Sequence, residues 1–120
     1  MRMETGSNKL VQLNRSKFRR SFCLNYIDKQ NVRETGLDRI MADAYSFVNQ
    51  RLKNPSNDTR ITPYRGHPVF IAQHATATCC RKCLWKWHRI PEFKVLDEDD
   101  INRVVGIIMS WIRNEMNYLR

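Results

Sequence analysis

Between Asp58 and Glu92 the sequence contains no aspartate and no glutamate. That removes from this stretch the carboxylate on which much general acid–base and metal-assisted chemistry rests. A zinc deaminase needs His-x-Glu ahead of its cysteine pair. Here His74 is followed by Ala75 and Thr76, so that reaction is excluded. Long apolar runs are absent too. Val69 to Ala72 is typical of those present, far below the about 20 residues of a membrane-spanning helix. Met1-Arg2-Met3-Glu4 has no apolar segment behind its charge, so no secretory leader is read and a cytoplasmic protein is expected. Thiols stay reduced in that compartment, which argues against disulfides.

What is present fits one globular domain. The chain has 120 residues, 42% hydrophobic and 28% charged, enough for a modest core. The formal net charge of +9 is unevenly spread. Residues 1–60 carry 12 basic and 6 acidic residues, residues 61–90 carry 5 basic and no acidic residue, and residues 91–120 carry 4 basic and 6 acidic. The central segment is therefore positive throughout, which suits phosphate backbones or acidic protein surfaces.

Helical periodicity dominates. Residues 1–14 are polar and aperiodic and read as a flexible arm. Phe18 and Phe22 lie four apart among Arg15, Lys17, Arg19 and Arg20, the pattern of a short basic amphipathic helix over Arg15 to Leu24. Tyr26 to Arg33 reads as a second short helix. Thr35-Gly36-Leu37-Asp38 resembles a variant capping box. Leu37, Ile40, Met41, Ala44, Phe47, Val48 and Leu52 then mark one buried helical face ending near Asn54, before Pro55. Asn54 to Pro68 is a turn-rich loop long enough to have a purpose. Pro68 suits a helix start, and Val69 to Ala72 is read as helix. Leu84 to Arg89 reads as a helical turn. Asp97 to Asp100 are acids at the electropositive end of a last helix, whose stripe is Ile101, Val104, Val105, Ile108, Ile112, Met116 and Leu119. Arg113 and Arg120 sit near its other end. The expectation is a mainly α, small single-domain helical protein over residues 15–120, built around a Cys/His zinc-binding motif.

That motif is HATATCCRKCLWKWH, His74 to His88. It holds two of the three histidines and three of the four cysteines. Zinc takes four ligands, most often thiolates and imidazoles. Cys80-x2-Cys83 has the spacing that lets one turn aim two sulfurs at one ion. His74, Cys80, Cys83 and His88 make a two-Cys, two-His set for Zn2+. Cys79 competes with Cys80, and His67 is a further possible ligand from the preceding loop. A continuous helix from Cys83 to His88 would turn their side chains about 140° apart, so His88 joins only if the helix bends. The plain alternative is buried free thiols packed against Trp85 and Trp87.

Thr62 to Pro91, TPYRGHPVFIAQHATATCCRKCLWKWHRIP, closely resembles the signature of a small bacterial and phage family known as domain of unknown function 4186. RSKFRRSF near the start and INRVVGIIMSWI near the end extend the resemblance from about Arg15 to Ile112. This chain departs at Lys82 where the family tends to have glycine, at Trp85 where it tends to have an acid, and at Arg89 where it tends to have a small residue. The resemblance implies a compact unit centred on the motif and often carried by mobile elements. It implies no activity.

The residues point to binding more than to catalysis. Arg65, Arg81, Lys82, Lys86 and Arg89 interleave with Tyr64, Trp85 and Trp87. Cations meet phosphates while aromatics stack on bases. Trp87 lies three residues from Leu84 and is expected in the core, leaving Trp85 for contact. Arg15, Lys17, Arg19 and Arg20 form a second basic surface. The expected function is a zinc-stabilised small basic protein contacting nucleic acid or a nucleoprotein complex. One alternative is a phage or mobile-element inhibitor of a host protein–nucleic-acid defence machine. Another is a small metal-dependent nuclease or hydrolase, for which nothing in the sequence pairs a base with a nucleophile.

Overall fold

A computed structural model describes residues 16–57 and 61–118. The arm expected over residues 1–14, and the roles expected of Arg15, Leu119 and Arg120, lie outside them. The described residues form helices and no strand. The helices are α1 (Lys17–Arg20), α2 (Tyr26–Thr35), α3 (Leu37–Arg51), α4 (Pro68–Ala75), α5 (Arg81–His88) and α6 (Glu98–Asn117), with a 3-10 turn at Pro55–Asn57. None is long and apolar enough to cross a membrane.

The ends follow local chemistry. Asn25 and Asp28 form a reciprocal capping box on α2, and Asp97 and Asp100 form another on α6. Of the acids before Ile101, Asp97 and Asp100 are therefore caps, and Glu98 and Asp99 lie in the electropositive first turn. Lys94 bridges to both Asp97 and Asp100, at 3.5 and 2.8 Å. The capping box expected at Thr35 does not form. Thr35 is the last residue of α2, and Gly36 caps both helices from φ 89° with no side-chain bond. A side chain at that φ would be strained, so glycine joins α2 to α3 in a single residue. The basic helix expected to reach Leu24 stops at Arg20, because Ser21 turns back onto the Phe18 carbonyl through its N–H and its hydroxyl.

The core lies between α3, α4 and α6, where α6 packs on both others. α3 contributes Ile40, Ala44 and Val48, although Leu37 at its start is exposed. α6 buries Ile101, Val104, Val105, Ile108 and Ile112. α4 is buried along its whole length, as an apolar run without an amphipathic face requires. It carries Pro68 in its first turn and is capped by His67. This buried α4 delivers the chain to the cysteines.

Candidate metal centre

After α4 the chain reverses through Thr76, Ala77 and Thr78, all buried. Ala77 adopts φ 58°. The turn is closed from inside: Thr78 N–H donates to the Gln73 carbonyl at 2.8 Å, Gln73 Nε2 to the Thr78 carbonyl at 3.0 Å, and Thr76 Oγ1 to the Ala72 carbonyl at 2.7 Å. It places Cys79 and Cys80 at the start of α5. Cys80 is the N-cap of that helix, its sulfur accepting from Cys83 N–H at 3.4 Å. Thr62, in the loop before α4, donates its hydroxyl to the Cys79 carbonyl at 2.6 Å. The long loop thus braces the thiols.

The sulfurs of Cys79, Cys80 and Cys83 all lie within 4.8 Å of one another, a group that can hold a metal ion. Cys79 Sγ and Cys83 Sγ are 3.8 Å apart. A tetrahedral ion with bonds of about 2.3 Å to sulfur separates two thiolates by about 3.8 Å, so this edge already has the right length. The sequence leaves Cys79 and Cys80 in competition. The structure brings both to Cys83.

It does not bring the histidines. His74 Nε2 donates to the Thr62 carbonyl at 2.9 Å, and its ring stacks against Tyr64 and Phe22, with centroids at 4.1 and 5.5 Å. His88 Nε2 donates to the Thr76 carbonyl at 2.8 Å. α5 is continuous from Arg81 to His88, so His88 is turned into the core, away from Cys83. His67 accepts from Val69 N–H at Nδ1 and donates from Nε2 to Asp43 at 2.9 Å, which occupies both ring nitrogens. The two-Cys, two-His set is thus replaced by three thiols.

The partner of the thiols comes from a distant element. Arg19 Nη2 donates to Cys83 Sγ at 3.3 Å, and Nη1 contacts Cys79 Sγ at 3.8 Å and the His74 carbonyl at 2.6 Å. Arg19 was expected on an outer basic surface and instead faces the cluster. No spacing signal announces a contact across 60 residues of chain. The thiols hold their protons tightly. Hydrogen bonding from Cys80 pushes Cys79 up, and hydrogen bonding with Cys79 does the same for Cys83, with burial adding to both. At Cys80 the bond with Cys79 pulls downward, but Cys83 and burial outweigh it and the net direction is up. A divalent cation would displace these shared protons.

Of the other expected contact residues, Arg81 is also inside. It is 1% exposed and donates to the carbonyls of Leu52, Lys53, Pro91 and Lys94 at 2.6 to 3.4 Å. Its charge is spent on backbone, and it ties the end of α3 to the segment before α6. Lys17, Arg20, Arg65, Lys82, Trp85, Lys86 and Arg89 are exposed. Trp87 is half-buried, beneath the Lys86 amine at 5.9 Å.

These features define a small helical protein with a partly buried cysteine cluster that can hold a metal ion. Within that class, the chain belongs to the family described as Domain of unknown function (DUF4186), whose pattern matches residues 7–113. No solved structure matches the chain.

Proposed function

We propose that this protein is a zinc-stabilised basic module that binds nucleic acid. The observation that carries the reading is the outer face of α5 and its cap. Lys82, Trp85, Lys86 and Arg89 fall at helical steps of three, four and seven and form one exposed stripe. Trp85 is 44% exposed, and the Arg89 guanidinium lies 5.2 Å over its ring. Such a surface pairs phosphates with cations and bases with a ring face, without sequence readout. Lys17, Arg20 and Arg65 are further exposed cations. The thiol set is soft, and the 3.8 Å between the Cys79 and Cys83 sulfurs suits a tetrahedral ion, which supports the choice of zinc. Reduced, metal-bound thiols fit a cytoplasmic setting.

Neutralising about three phosphates of a single strand with Lys82, Lys86 and Arg89 gives a salt slope of about −2.1, or a loss of about 20-fold in affinity between roughly 50 and 200 mM salt. Titration of short single-stranded DNA and RNA measures this. Lys82→Glu/Lys86→Glu should flatten the slope by about 1.4. Affinity indifferent to salt, or unaffected by the double variant, rules the reading out.

A further inference from the structure

The described residues supply three ligands where zinc takes four. Among the described residues no histidine or carboxylate joins the three sulfurs. Outside them, the only side chains of ligating type are Glu4 and Asp58. The fourth cysteine, Cys23, is described and stands apart from the group. A site with three protein ligands takes its fourth from solution.

Two features say what that ligand is. Cys80 and Cys83 are only partly buried, so a small molecule reaches the centre. Three thiolates and a divalent ion leave one negative charge, and Arg19, bonded to two of the sulfurs, cancels it. No acid occurs from residue 59 to residue 91 to oppose a further negative charge. We infer that the three-thiolate centre takes a small monodentate anion as its exchangeable fourth ligand, and that Arg19 is the positioning residue that favours an anion over a neutral donor. This rests on the metal reading above. It extends that reading from a closed structural site to an open one.

Cobalt in place of zinc makes the site visible. The full-length protein is loaded with one equivalent of Co2+ and titrated with azide as the anionic probe and imidazole as the neutral one. The visible bands should shift with azide at a half-saturation about tenfold lower than with imidazole. Arg19→Ala should erase that preference, and Arg19→Lys, which keeps the charge, should restore much of it. A spectrum indifferent to azide overturns the inference. So does an azide affinity unchanged in Arg19→Ala, or an anion-free spectrum that changes in Glu4→Gln/Asp58→Asn, which would mean that the chain closes its own site. Failure of cobalt to give any thiolate charge-transfer band is a different result and overturns the metal reading itself.

Discussion

Arg81 is a buried cation committed to the backbone. Four backbone carbonyls converge on its guanidinium, and water does not replace it at 1% exposure. Arg81→Met keeps the stem and removes the donors, so the carbonyls lose their charged partner in the interior. The expected cost is about 3–5 kcal/mol in urea unfolding, with Arg81→Lys recovering little because an ammonium cannot span four acceptors. A cost near zero would show that the carbonyls find other donors. His74 carries a pH dependence. Burial holds its pKa below 6.5 despite the bond to Thr62. The unfolded chain therefore binds the proton more readily. The stability contribution is complete above about pH 6.5 and is lost as pH falls through the depressed folded value. His74→Phe, which keeps a ring against Tyr64 and Phe22, should flatten this part of the stability profile in thermal melts from pH 7 downward. Both residues look alike in the sequence, a basic side chain near cysteines. Only their surroundings separate a core pin from a stacked, neutral imidazole.

Among the described helices, α1 has four residues and buries none of them. Arg19 supplies its long-range hydrogen bonds, two of them to sulfur. Those bonds are stronger to a thiolate than to a thiol, and a bound metal keeps the sulfurs ionised. Chelation and Arg19→Ala should therefore have the same local consequence: faster amide exchange at Lys17–Arg20, with α3 and α6 little changed. Exchange in α1 that ignores both perturbations would mean that Phe22, stacked on His74, is the true fastening. Helix existence and faces were legible in the pattern. The stripe through α6, the capping acids at Asp97 to Asp100 and the Pro68 start of α4 are all local rules obeyed locally. Thr35 was misread for the same kind of reason. A short polar residue before a periodic run looks like a cap, yet the neighbouring glycine admits a positive φ that lets α2 run on through Thr35, two residues past Arg33.

For the whole molecule, the thiol centre ties together segments far apart in the chain: α1 through Arg19, the 61–67 loop through Thr62, and α5 through Cys80 and Cys83. A metal bound there is folding energy. Removing it with a strong chelator should lower the melting temperature by about 10 °C or more, and Cys83→Ser should melt like the chelated protein. Equal melting with and without chelator would reduce the cluster to packed free thiols. The sequence by itself determined the helical class, the existence of the helices and the starts of α2, α4 and α6, the concentration of thiols in one segment and the acid-free, positive character of that segment. These depend on neighbours within a few residues, where periodicity, caps and composition act directly. The tertiary structure alone decided which groups face the thiols. His74 and His88 lie close in sequence but are turned away by the continuous run of α5 and by carbonyls that claim their Nε2 protons. Arg19 is remote in sequence but is carried onto the sulfurs when α1 packs on α4. Ligation is a matter of direction and reach in space, and spacing along a chain constrains that only inside a single turn.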